Sequence, residues 1–485
     1  MTETGKDALA KAAPRGLWRR RLTDYPDTPT RAAYLTIVVL AAVIVFYEFY
    51  VAAAVAPAII AAYHMTFRFY VYTIAAACAA GGLGSLAAGV ADRWGRANLI
   101  GYGLMANGAL TLFGIPNMIG EWQFAVVFAA VGYIGGVILV ATPALVRDFA
   151  QRLGRASAMG LWALGPVAGS LAVAVVSSLT LAHLHPWQDQ FIICGIAGLV
   201  TGLGAVLFLR ELSPGLREAV KESLRERALA EARVQGVDTE DPPARPWRQM
   251  LRPDVTGPAF GCAVFLLIYY TAVAFFPLYF TVVRGFPLAS ADSLGCWFWA
   301  FAAVALVIAG MASDLTGVRK PFMVAGAAGG IAATIALGNL GRGTPYATFA
   351  VVVSALAVCL AIAFAPWMAS FTETVERRNP ALGGTGLAVW GWTVWAVAAV
   401  SLLVLPSVVT SIAQLAGSGH AAPAGAVAAA ARQWRTWLWV CAVGQAVFVP
   451  FVFLLAGRWS PRKARRDAEA HERRVAREMA ALRSQ

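Results

Sequence analysis

The sequence predicts an all-α membrane protein of twelve transmembrane helices arranged as two pseudo-symmetric six-helix bundles. Three observations carry that expectation: long apolar runs, a loop pattern that occurs twice, and a lopsided placement of basic residues. Of 485 residues, 59% are hydrophobic and only 13% charged, with a mean hydropathy of +0.65. A soluble core of this length needs far less apolar residue, and here it falls in long stretches.

A helix needs about 20 apolar residues to cross a hydrocarbon core of about 30 Å. Twelve runs satisfy this, near residues 34–57, 68–91, 98–118, 122–146, 156–181, 190–209, 256–282, 291–312, 321–340, 346–371, 384–411 and 434–456. Alternating sides between them puts 34 of the 39 Lys and Arg on one side, leaving Arg68, Arg284, Arg342, Arg432 and Arg435 on the other. The positive-inside rule requires such a bias of a correct span count and places both termini in the cytoplasm. The expected division is a tail (1–31), a first six-span half (32–209), a linker (210–253), a second half (254–457) and a second tail (458–485). The first run follows no signal-peptide pattern and reads as an uncleaved anchor. In the linker, Leu216 to Val234 reads as an amphipathic helix that Pro242, Pro243 and Pro246 end.

The loop after the second run, Ala88-Gly89-Val90-Ala91-Asp92-Arg93-Trp94-Gly95-Arg96, returns after the eighth as Gly310-Met311-Ala312-Ser313-Asp314-Leu315-Thr316-Gly317-Val318-Arg319-Lys320. Asp92 and Asp314 are 222 residues apart, Asp148-x-x-x-Arg152 is echoed 225 later by Glu373-x-x-x-Arg377, and Gly160 to Gly165 is echoed 226 later by Gly386 to Gly391. A repeat this long is a domain-sized half, and transporters built from repeats hold their solute between them. Gly95, with Gly317 in the second copy, permits a turn that a side chain would obstruct. Asp92, Arg93 and Arg96 offer charges to the end of the fourth span, where Asp148 and Arg152 sit; Asp314, Arg319, Glu373 and Arg377 are the counterparts. Such pairs can latch the halves in one state, or simply fix topology and helix ends.

Glu48 is the only acid well inside an expected span, roughly 22 Å along the first helix at 1.5 Å per residue. A charged acid at a helix centre costs roughly 2.5 to 3.5 kcal/mol on insertion scales, so such residues tend to face a cavity and to be functional. A carboxylate that takes and releases a proton as its surroundings open and close is a coupling element. The structural alternative is solvation at the outer surface or pairing with Arg68. Tyr47, Tyr269, Tyr270, Trp297, Trp299, Trp367, Trp390, Trp392 and Trp395 fall in spans 1, 7, 8, 10 and 11 as candidate lining of a solute cavity, able to stack on a ring or attract a cation. Lipid-facing belts are the competing use of such rings. In the fifth span, Gly165, Pro166 and Gly169 predict a kink with close helix contact.

Twelve spans in two halves, a charged central linker and an Asp-Arg-x-Gly-Arg loop resemble the major facilitator superfamily over about residues 32–457. The family pattern is Gly-x-x-x-Asp-Arg-x-Gly-Arg-Lys; this chain has Ala88 for the first Gly and Ala97 for the last basic residue, while the second copy keeps Gly310 but has Leu315 for the first Arg. The resemblance implies alternating access, with the loop pairs breaking and re-forming as one half rocks on the other. Phe46 to Tyr50 resembles the first-span stretch of facilitators that couple organic metabolites to protons. Gly165-Pro166-x-x-Gly169 resembles a fifth-span motif of proton-driven exporters, with Ser170 replacing its trailing Gly. The expected function is therefore proton-coupled secondary transport of a small organic solute, with metabolite uptake favoured. Proton-driven efflux of an amphipathic or drug-like compound is the alternative, and a transporter-like sensor or scaffold a minor one. The expected partners are that solute, protons and the lipid bilayer; the expected site is the plasma or inner cell membrane, and the expected functional unit a monomer.

Other classes find little support. The net charge of +13 and pI near 9.8 come from basic residues crowding one membrane face, where anionic lipid attracts them, so nucleic acid is not needed to explain them. Cys78, Cys194, Cys262, Cys296, Cys359 and Cys441 all lie in expected spans and read as packing residues. His64, His183, His185, His420 and His471 lie outside the spans, and neither metal-ligand spacing nor a phosphate-binding Gly-x-x-x-x-Gly-Lys loop occurs. No enzyme activity, metal or cofactor is expected, and the absence of mid-span Arg or Lys argues against a strongly anionic solute.

Overall fold

The computed structural model describes residues 20–85, 94–149, 164–181, 183, 186–217, 246–378, 383–410, 424–457, 459–461, 470, 473–474 and 477. The expected linker helix beyond residue 217 lies outside them, as do Asp92, Arg93, Arg152 and Gly160.

Twelve principal helices build the described fold. The first half holds α1 (Thr28–Ala54), α2 (Phe67–Ser85), α3 (Arg96–Asn117), α4 (Glu121–Phe149), α5 (Gly165–Thr180) and α6 (Gln188–Phe208). The second holds α7 (Pro253–Arg284), α8 (Leu288–Thr316), α9 (Lys320–Asn339), α10 (Tyr346–Arg378), α11 (Gly383–Val408) and α12 (Ala424–Val452). Ten contain a stretch long and apolar enough to cross a membrane. The other two, α2 and α5, each adjoin residues that are not described.

Several helices outrun their apolar runs, for local reasons. α1 starts at Thr28 rather than near 34, because Pro29 in its first turn is pre-set for helix and has no donor to waste. α12 starts at Ala424, ten residues before the apolar run at 434, through an alanine-rich stretch of high helix propensity. Hydropathy marks the membrane-crossing core of a helix, not its ends.

Each half packs by the same scheme. In the first, α2 lies on α4, α3 on α6, and α1 on α5 and α6; in the second, α8 lies on α10, α9 on α12, and α7 on α11 and α12. The halves meet through α5 with α8, α2 with α11, and α1 with α7, pairs that themselves exchange under the repeat. Small residues let the backbones close up: a Cβ on Gly136 of α4 would collide with the carbonyl of Gly81 in α2. Large apolar side chains such as Val126, Val200, Val304, Val351, Leu403 and Val443 stay exposed around the outside, as a lipid-facing surface demands.

The segment before α1 and the residues just after α6 meet on one face, the basic side; the short connections after α1, α3 and α7 lie on the far side. On the basic side a two-residue strand, β1 (Arg21–Leu22), runs parallel to β2 (Glu211–Leu212) just after α6. Arg20 beside it donates to the carbonyls of Ala205 (2.8 Å), Val206 and Leu209 and to Asn98 Oδ1 (2.8 Å). A guanidinium there satisfies carbonyls that the end of a helix leaves open.

Candidate functional site

Glu48 is fully buried, and it faces inward within the first half rather than into a space between the halves. Its Oε2 accepts a 2.6 Å hydrogen bond from Asn107 Nδ2 of α3, and a Cβ at Gly198 of α6 would collide with its Oε1. Glycine at 198 is thus what makes room for the carboxylate. Arg68 is exposed and forms no ion pair with it, so the structural alternative weighed from sequence is not what the structure shows. Glu48 Oε1 and Asn107 Oδ1 are both buried without a hydrogen-bond partner among the described residues. Tyr47 is buried beside Cys194 of α6, with its hydroxyl likewise unpartnered among them.

On the basic side the two copies of the loop can be compared atom by atom. Gly95 has φ +91°, and a Cβ there would sit 2.9 Å from Glu211 Oε1. Arg96 opens α3 with its amide donating to Glu211 Oε2 (2.8 Å), while its Nη1 lies 3.1 Å from Asp148 Oδ2. Arg217 joins the cluster, 3.3 Å from Asp148 and 3.7 Å from Glu211. Burial pushes the Asp148 carboxyl above its usual range although Arg96 and Arg217 pull it back.

In the second copy Gly317 ends α8 in the left-handed conformation at φ +68°. Arg319 then reaches both Asp314 (3.0 Å) and Glu373 (2.7 Å). Burial alone would lower this guanidinium, yet Glu373 and Asp314 hold it above its ordinary value. Arg377 is exposed at the end of α10 near Lys320. Each cluster ties helix ends within its own half; none of these pairs bridges the halves.

The aromatic candidates separate by direction. Tyr269 and Tyr270 of α7 meet edge to face at 5.5 Å, Tyr269 also meets Trp299 at 5.5 Å, and it reaches Tyr50 of α1 across the halves. Trp367 stacks on Phe371 (4.9 Å) and packs against Trp390 (5.8 Å) between α10 and α11. Trp297 and Trp392 are 46% and 66% exposed on the outer surface, which corrects their assignment to the cavity lining. The reason is helical geometry: residues two apart point nearly opposite ways, so with Trp299 and Trp390 turned inward, Trp297 and Trp392 face out.

In the fifth span, a Cβ on Gly169 would lie 2.6 Å from Phe46 Cβ, so this glycine lets α5 lie against α1. The described part of α5 begins at Gly165, so the turn that Pro166 was expected to kink lies outside the described residues.

Sequence reasoning missed Asn107, Gly198, Glu211, Arg217 and Asp292. Glu211 and Arg217 looked like solvated linker charges. Asp292 stood at the mouth of an expected span, yet it is 2% exposed on α8 against α5. An acid just inside a span boundary was the available signal. Asp292 belongs to the far-side seam, where Phe67 meets Phe275 at 6.1 Å and Ser178 Oγ lies 3.6 Å from Cys296 Sγ, each contact joining the two halves.

Similar architectures are known among solved structures. A bacterial homologue of the human lysosomal transporter Spinster, in an inward-facing and occupied conformation, is 17% identical, with coverage of 88% of this chain and 97% of that one and a TM-score of 0.65. A D-xylose–proton symporter is 13% identical over 86% and 97% at a TM-score of 0.63, and the xylose transporter XylE from E. coli, partially occluded and inward open, 12% identical over 88% and 98% at 0.64. No curated protein matches the sequence. The model of the Major Facilitator Superfamily matches residues 38–402. With that match spanning well over half its length, the chain belongs to the major facilitator superfamily, and it is a multi-pass secondary transporter rather than an enzyme.

Proposed function

We propose that the chain couples proton movement to uptake of a small organic solute by alternating access, as a monomer in the plasma or inner cell membrane with both termini cytoplasmic. The observation that carries the reading is the Glu48–Asn107 pair. Two buried acceptors there lack a donor among the described residues, and one proton on the carboxyl supplies it. Loss of that proton restores the deficit, so the packing of α1 against α3 and α6 changes with protonation.

α1 is the shared element. Two residues beyond Glu48 it presents Tyr50 to α7, so a shift of α1 reaches the contact between the halves. The buried Arg96–Asp148 pair keeps its basic-side helix ends together, while the more exposed Arg319–Glu373 pair opens and re-forms as the halves rock. The second reading is proton-driven efflux by antiport, in which a proton enters as the solute leaves; the Gly165-Pro166-x-x-Gly169 run, with its close approach of α5 to α1 at Gly169, favours it.

Purified protein in vesicles under an imposed pH gradient tests the proposal against a solute panel. Glu48→Gln, which keeps the side chain's shape, is expected to abolish gradient-driven accumulation while sparing solute exchange. Unchanged accumulation rejects the assignment, and the sign of solute movement separates uptake from efflux.

A further inference from the structure

At the far-side seam, α1 and α5 face α7 and α8 across a narrow cleft whose walls include Tyr50, Ser170, Phe276, Asp292 and Trp299. Two polar atoms on opposite walls, Ser170 Oγ from the first half and Asp292 Oδ2 from the second, have no hydrogen-bond partner among the described residues. Ser170 is 4% exposed and Asp292 2%. Asp292 also reaches the Ser177 hydroxyl, which leaves most of its acceptor capacity unused. None of the described residues lining the cleft is Lys, Arg or His. A buried carboxylate without a cation is costly, and buried polar atoms left open call for a ligand or water to complete them.

The space between the walls is about 30 Å³, room for one water or one ammonium-sized head group. Aromatic side chains line it, namely Tyr50, Phe276 and Trp299, and a cation over the face of such a ring is attracted to it. A primary ammonium carries three donors and no acceptor, which suits two acceptors facing each other; an alcohol brings one donor and a carboxylate none. Glu48 serves no such role, being enclosed within the first half and turned toward α3 and α6.

We propose that this cleft receives the protonated primary amine of the transported solute, whose –NH3+ group donates to Asp292 Oδ2 and Ser170 Oγ and lies beside Trp299. The proposal rests on the transporter reading and adds the solute's chemical class. Because the two acceptors come from different halves, a bound ammonium also ties α5 to α8.

The test uses calorimetric titration of the full-length purified protein with three probes of matched size: phenethylamine, 2-phenylethanol and phenylacetate, which are cationic, neutral and anionic at neutral pH. Saturable binding of phenethylamine alone is expected, weakened at least about tenfold by Asp292→Asn and several-fold by Ser170→Ala, and unaltered by Trp297→Phe on the outer surface. Asp292→Glu keeps the charge and is expected to keep the preference for the amine. If Asp292→Asn does not fold, Ser170→Ala and Asp292→Glu decide. Equal binding of the three probes, or an amine affinity untouched by Ser170→Ala and Asp292→Asn, overturns the proposal. Binding of none of the probes overturns it too and leaves Asp292 as a proton site. A non-amine solute accumulated in vesicles while the amine fails to bind sinks this inference alone; amine binding with no gradient-driven accumulation of any solute in the panel sinks the proton-coupled reading instead.

Discussion

The two copies of the loop motif use the same charges in different surroundings. Arg96 and Asp148 have side chains only 16% and 9% exposed, and Glu211 and Arg217 close over them from the segment that follows α6. Arg319 meets Glu373 at 38% exposure and Asp314 at 69%, with no such cover among the described residues. A charge pair shielded from water is costly to break, and one open to water is cheap. The duplicated motif therefore gives a shielded anchor in the first half and a water-exposed one in the second.

Substitutions can break that contrast. Asp148→Asn leaves two largely buried guanidinium groups without their shared partner and is expected to cost roughly 3 kcal/mol, seen as a lowered denaturation midpoint together with lost transport. Gly95→Ala is next, at about 1–2 kcal/mol, because an L-residue at φ +91° is strained and its Cβ presses on Glu211. Glu373→Gln comes last, at less than about 1 kcal/mol, with transport slowed and solute affinity kept. A Glu373→Gln variant as unstable as Asp148→Asn would mean that the two anchors are equivalent after all.

Much of the fold was legible because membrane proteins advertise it. The apolar runs, the offset near 222–226 residues and the parity of basic residues each depend on the whole span pattern, so they agree only when the count is right. The site was legible where a residue broke its context: Glu48 as an acid in an apolar helix, and Arg96 with Asp148 as charges beside a glycine turn. It was illegible where facing mattered. A membrane helix is apolar on both its lipid and its protein side, so nothing in the local sequence separates Trp299 from Trp297 or Trp390 from Trp392. Glu211 and Arg217 were hidden for the opposite reason, since charges in a charged linker carry no contrast.

Distances between spin labels measure most directly whether proton binding at Glu48 moves one half against the other. One pair, at Leu179 and Ala289, spans the far-side seam; the other, at Trp94 and Leu315, spans the basic side between the halves. Acidification is expected to change the two distances in opposite directions, and Glu48→Gln to suppress both changes. Two distances that stay fixed, move together, or respond identically in Glu48→Gln would contradict the account.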